Sequence, residues 1–235
     1  MDSQDPVAMA AVQAIRTGDT TALATLLSEH PGLAAEQIHG TRTPLLVAAD
    51  WPGYFPAGPA IVRLLIEAGA DPNADSGGSK PETPLHWAAS SDDADVADAL
   101  ISGNADIEVP GGSIGTPLDN AVGYGCWNVA RLLVRRGARV DKLWHAAALG
   151  IMARVEELLA TTPPPAPDDI TEAFWQACHG GQRRTAERLL ASGADLNGTP
   201  GYSDQTAAEV AAEPGTQRAN LVTWLQERQQ QFTGR

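Results

Sequence analysis

One string recurs along this chain and narrows what it can fold into. It reads Thr43-Pro-Leu-Leu-Val-Ala-Ala49, then Thr83-Pro-Leu-His-Trp-Ala-Ala89, then Thr116-Pro-Leu-Asp-Asn-Ala-Val122. Downstream of these come Gly69-Ala-Asp-Pro-Asn73, Asn104-Ala-Asp-Ile-Glu108, Gly137-Ala-Arg-Val-Asp141 and Gly193-Ala-Asp-Leu-Asn197. Between the two strings lies an apolar pair: Leu64-Leu65, Leu100-Ile101, Leu132-Leu133, Leu158-Leu159 or Leu189-Leu190. Self-similarity at a step of 30 to 40 residues is the mark of a repeat array.

Each recurring residue has a local physical role. Thr caps a helix N-terminus, and Pro fits the first helical turn, where its missing N–H is not needed. Alanines let two helices approach closely. The Gly after the second helix suits a left-handed position that a β-carbon disfavours, and Asn104 is a tolerated substitute there. A lone helix pair cannot bury its apolar face, so successive units must stack and share a core.

The strings TPLHWAA and GADPN at this separation resemble the ankyrin repeat, a β-turn plus two antiparallel helices. The resemblance covers about residues 7–225. It implies an all-α solenoid of stacked helix-turn-helix units in a single domain, 1–235. Units are expected to start near Met9, Thr43, Thr83, Thr116, Asp141, Glu172 and Thr206, with the first and last as caps. It also implies a binding scaffold whose partner lies on the concave helix face and the loop tips, around Asp75, Lys80, Glu82, Tyr202 and Asp204.

Three departures break the pattern. Trp51-Pro-Gly-Tyr-Phe-Pro-Ala-Gly58 is inserted between the two helices of the second unit. The join from Val140 to Trp144 is too short for a β-hairpin finger. The next join, Thr161-Thr-Pro-Pro-Pro-Ala-Pro167, replaces a finger with a stiff proline segment. Fingers are therefore expected to be short or missing.

Composition trims the list of functions. The 235 residues carry 16 Lys+Arg against 29 Asp+Glu, a net charge of −13. That balance argues against nucleic acid and against an anionic membrane, since both bind through basic residues. No run reaches the roughly 20 apolar residues of a membrane span. Two cysteines, Cys126 and Cys178, cannot form a disulfide framework. The acidic start, Met1-Asp-Ser-Gln-Asp-Pro6, has no apolar leader core, so a cytoplasmic location is expected. Only Lys80 and Lys142 are lysines, and the Arg- and Ala-rich composition is that of a high-GC bacterium.

No phosphate loop, metalloprotease, nucleophile-elbow or CxxC motif occurs, so neither a metal nor a cofactor is implied. Superposing the units gathers an inner-face stripe of Trp51, Trp87, Asn120, Tyr124, His145, Gln176 and His179. Aromatic bodies with polar tips suit recognition. Tyr54, in the insertion, belongs to a lid or anchor over that groove, or to a small cluster under the loop. His86 stands in TPLH and is read as supporting the turn. Arg131, Arg135, Arg136 and Arg139 on one second helix, and Arg183, Arg184 and Arg188 on another, read as a solvated back face.

The leading expectation is an interaction module that binds a protein partner. The alternative is a small-molecule binder or unconventional enzyme with a pocket in the concave groove. There His145 and His179 would be acid–base groups, with Asp119 nearby. The two differ in pocket shape: a catalytic site needs an enclosed cavity of about 300–1,000 Å³.

Overall fold

The structure is a computed structural model that describes residues 5–213 and 218–233. Part of the leader reading, residues 1–4, lies outside them. The chain divides into two compact units, 1–138 and 139–235, which we take in turn.

The first unit holds eight α-helices: α1 (Pro6–Thr17), α2 (Thr20–Glu29), α3 (Pro44–Ala48), α4 (Gly58–Glu67), α5 (Pro84–Ser90), α6 (Ala94–Ser102), α7 (Pro117–Gly123) and α8 (Trp127–Arg135). They pair as α1–α2, α3–α4, α5–α6 and α7–α8. First helices pack on first helices, and α2, α4, α6 and α8 form a second layer. Pairing of the strand type is confined, among the described residues, to the isolated bridges His39–Arg42 and Gly111–Gly115. The stretch 136–142 carries none.

The caps follow from the Thr-Pro string. Thr43 Oγ1 accepts the Leu46 N–H at 3.4 Å. Thr116 Oγ1 accepts the Asp119 N–H, and Asp119 Oδ2 accepts the Thr116 N–H at 2.6 Å. In the preceding unit His86 takes the role of that aspartate. Its Nδ1 accepts the Thr83 N–H at 3.2 Å, and its Nε2 bonds the Gly115 carbonyl at 3.0 Å. Helix α1 starts at Pro6, ahead of the expected Met9, because Asp5 Oδ1 accepts the Val7 N–H at 2.8 Å. Left-handed φ follows each second helix where expected, at Gly69, Asn104, Gly137 and Gly193.

The apolar pairs do not share one phase. The residue four before that left-handed turn is the one wholly inside: Leu65, Leu100, Leu133 and Leu189. Leu190, the other member of its pair, is half-buried because it sits one position further round its helix.

The second unit holds α9 (Leu143–Leu149), α10 (Met152–Leu159), α11 (Pro167–His179), α12 (Arg183–Ala191), α13 (Ala207–Ala211) and α14 (Ala219–Thr233). Its core gathers Phe174, Trp175, Leu189, Leu221 and Trp224. Helix α11 starts before the expected Glu172. Pro167 takes the first helical position, and Asp168 and Asp169 lie in the first turn, where acids favour the helix dipole. Helices α9 and α11 approach closely through Ala146, Ala147, Ala173 and Ala177. A β-carbon on Gly180 would collide with the Ala148 carbonyl oxygen.

Candidate functional site

Within the first unit, Arg42, Asp50, Trp51, Glu82, Trp87, Ser90, Ser91 and Tyr124 line a groove of about 250 Å³. Trp51 is 77% exposed and Tyr124 56%, while Trp87 is half-buried. Large aromatic surfaces left in water beside one another carry an unfavourable hydration term that a partner would remove.

The inserted loop that presents Trp51 is fastened at both sides. Asp50 Oδ1 accepts the Trp51 N–H at 2.9 Å. Asp50 Oδ2 pairs with Arg42 at 3.0 Å and with Arg16 at 3.8 Å. The Tyr54 N–H donates to Asp93 Oδ2, and the Tyr54 hydroxyl donates to the Asp92 carbonyl. Burial and the neighbouring carboxylates of Asp92 and Asp93 raise the Tyr54 phenol. Tyr54 therefore anchors the loop and does not itself line the groove.

The floor is polar and ordered. Asn120 Nδ2 donates to Glu82 Oε1 at 3.1 Å and to Ser90 Oγ at 3.2 Å. Glu82 is also held by its backbone: its N–H donates to Ser76 Oγ, and its carbonyl accepts the Ser76 N–H. The Arg42 guanidinium carbon lies 5.1 Å from the Trp87 ring centroid. This groove already contains a guanidinium on an indole.

Several placements differ from expectation. Asn120, His145 and Gln176, expected on an accessible inner face, are buried. Their position on the first helix is covered by neighbouring helices and fingers. Asn120 bonds back to the preceding finger and helix, and Gln176 Nε2 bonds the Tyr202 hydroxyl at 2.9 Å. Asp119 is buried in the Thr116 cap.

His145, 1% exposed, meets Trp144 edge-on at 4.1 Å between ring centroids. His179 is half-buried 5.2 Å from the Trp175 ring, and burial lowers its pKa below the usual histidine value. Trp175 Nε1 donates to the Gln205 carbonyl at 2.7 Å. Tyr202 is 60% exposed, but its hydroxyl end turns in against Gln176, and desolvation there raises its pKa, opposed by the Gln176 hydrogen bond. In this second unit Trp175, Gln176, His179 and Tyr202 form a packed aromatic and amide cluster.

The cysteines are free and buried. Burial pushes the Cys126 thiol up to about 11 and the Cys178 thiol higher. Several back-face arginines form ion pairs: Arg136 with Asp98 at 2.7 Å and Arg188 with Glu156 at 2.7 Å. Among the described residues no helix is long and apolar enough to cross a membrane.

Sequence reasoning missed Arg42, Asp50, Ser90 and Ser91 as groove residues. Asp50 and Ser90 stand seven residues after Thr43 and Thr83, at the end of their first helices, and that shared register is the signal that could have found them.

Residues 55–142 match the family described as ankyrin repeats (3 copies). Over these residues the chain is made of ankyrin repeats. It is 29% identical over 164 residues to the ankyrin repeat and KH domain-containing protein mask-1 of Caenorhabditis elegans, covering 66% of this chain and 6% of that one. It is 36% identical over 91 residues to human ankyrin repeat and SOCS box protein 16, covering 39% of this chain and 20% of that one. The chain thus spans a minor part of each curated relative. The ankyrin fold is shared with the human ASB11 ankyrin repeat domain, at TM-score 0.56 and 20% identity, covering 96% and 98% of the two chains. It is shared also with the ankyrin repeat domain of Bcl-3, at TM-score 0.53 and 24% identity, covering 97% and 100%. Ankyrin repeats are in general protein-interaction modules.

Proposed function

We propose that this ankyrin-repeat chain is a non-catalytic module that binds a protein partner through the inner-helix face of residues 43–124, with the adjoining finger that carries Glu82. One observation carries the reading: Trp51, Trp87 and Tyr124 line a single open groove, two of them more than half exposed. Exposed, rigid aromatics over an ordered polar floor are the usual centre of an interface. This open groove of about 250 Å³ falls below the size and enclosure a catalytic pocket needs, and the larger hollows of about 370, 460 and 590 Å³ in the second unit are lined by neither His145 nor His179. Asp119, the carboxylate named for the acid–base alternative, is engaged in the Thr116 cap, where its Oδ2 accepts from the Thr116 N–H and hydroxyl.

A photo-crosslinking side chain at position 51 or 124, used in cells of the source organism, tests this. A discrete protein adduct is expected at both positions and not from exposed Arg135 on α8. Adducts from position 135 alone, or from none, would reject the assignment.

A further inference from the structure

We infer that the groove recognises an arginine side chain on an exposed segment of the partner protein. This rests on the interaction reading above and adds the chemistry of the occupant.

The lining has an unbalanced charge. Asp50 is opposed by Arg42 and Arg16. Glu82 lines the same groove, and among the described residues no ion pair opposes it. Its side chain is oriented by Asn120 Nδ2, and its backbone is fixed through Ser76 in both directions. A carboxylate held this way has little conformational entropy left to lose when a cation arrives. Beside it stand Trp51, Trp87 and Tyr124. Their faces attract a cation through the ring quadrupole, most strongly at indole.

The protein supplies its own precedent. Arg42 stacks over Trp87 at 5.1 Å while its NH1 reaches Asp50 at 3.0 Å. That is a guanidinium held by one indole and one carboxylate. Trp51, Tyr124 and Glu82 repeat the same elements, and among the described residues no ion pair fills the cation position. A planar guanidinium can lie on an aromatic face and present a fork of donors to a carboxylate at once, which an ammonium cannot. An aliphatic or acidic occupant would cover the Glu82 charge without satisfying it. The overall charge of −13 steers a basic segment towards the protein at low ionic strength.

The test uses the full chain against a displayed random nonapeptide library, followed by fluorescence anisotropy on the selected peptides. Enriched peptides should share an arginine. Replacing it with citrulline, which keeps shape and removes charge, should weaken binding about ten-fold or more, the size of a charge-assisted contact. Glu82→Gln and Trp51→Ala should each weaken binding several-fold while leaving the urea midpoint unchanged. Glu82→Gln keeps an oxygen for Asn120, so its effect reports charge and not folding.

Peptides that lack a cation yet lose affinity on Trp51→Ala would overturn this inference and leave the interaction reading standing. Peptides indifferent to both Trp51→Ala and Tyr124→Ala, or no selected peptide at all, would overturn both. Free choline or spermidine binding at the groove in place of peptides would mark a small-molecule site and equally overturn it.

Discussion

Asp92 caps a helix that belongs to the next repeat. Its Oδ1 accepts the backbone N–H groups of Asn128 and Val129 at 2.9 and 3.0 Å, and its Oδ2 accepts from Asn128 Nδ2 at 2.8 Å. These N–H groups open α8, whose own N-cap residue, Cys126, makes no side-chain capping bond. The Asp92 carbonyl also receives the Tyr54 hydroxyl from the inserted loop. One residue thus joins three successive repeats of the first unit.

Asp92 stands at φ 54, where the equivalent turns carry Gly125, Gly150 and Gly181. An aspartate tolerates this backbone better than most residues, but glycine would relieve it. Asp92→Ala should destabilise the first unit by about 1–2 kcal/mol through the lost cap. Asp92→Asn should retain most of the stability, because an amide oxygen still accepts both N–H groups. Urea denaturation of the three proteins ranks them; an alanine variant as stable as the wild type would remove the cap from the account.

Leucine truncations should follow the four-before-the-turn rule. Leu133→Ala and Leu189→Ala, both at sites with no exposure, should each lose about 2–5 kcal/mol. Leu190→Ala should lose clearly less, since Leu190 itself already faces water in part. Equal losses at positions 189 and 190 would show that the helix phase is wrong.

Gly180→Ala tests the closest approach in the second unit. The backbone there has an ordinary helical φ of −75, so the added methyl brings no dihedral strain. It brings only the collision with the Ala148 carbonyl. The helices must separate, with a loss of about 1–3 kcal/mol. A calorimetric midpoint equal to that of the wild type would contradict the packing of α9 on α11.

Stability should fall in mild acid through His86. Burial lowers its pKa, so the unfolded chain binds the proton more readily than the folded one. The contribution is complete above the unfolded value of about 6.5 and is lost as pH falls through the lower folded value. His86→Asn should be less stable at pH 7.5 and should show a flatter profile from pH 7 to 5. The measurement is the urea midpoint against pH for both proteins, and parallel profiles would exclude His86 as the titrating group.

The thiols should be silent until the protein unfolds. Cys126 is held up to about 11 by burial, and its Sγ lies 3.4 Å from the Ser90 carbonyl. A thiolate is the reacting species, so a disulfide reagent at pH 8 should label neither cysteine in native protein and both in urea. Fast labelling of native protein would mean that these sites open locally.

What the sequence determined by itself is the local grammar. Thr-Pro fixes where a helix begins, because cap and ring act within one turn. Gly or Asn fixes where it ends, because the left-handed turn is a property of one residue. Asn104 was legible for that reason, and so was the missing finger at 136–142. The repeated strings therefore gave the fold, the pairing of helices and the insertion at 51–58.

What only the tertiary structure decided is which side of each helix neighbours cover. Asn120, His145 and Gln176 share the sequence register of Trp87, yet they are buried while Trp87 is half-open. The difference comes from residues far away in sequence: Glu82 and Ser90 reach Asn120, and Tyr202 reaches Gln176. Asp92 is the same case, since nothing local marks an aspartate as the cap of a helix 35 residues further on. Burial and pairing across repeats are sums over neighbours that a single register does not contain. The groove exists because an insertion in one repeat, a finger in the next and a tyrosine in a third converge, which is a property of stacking alone.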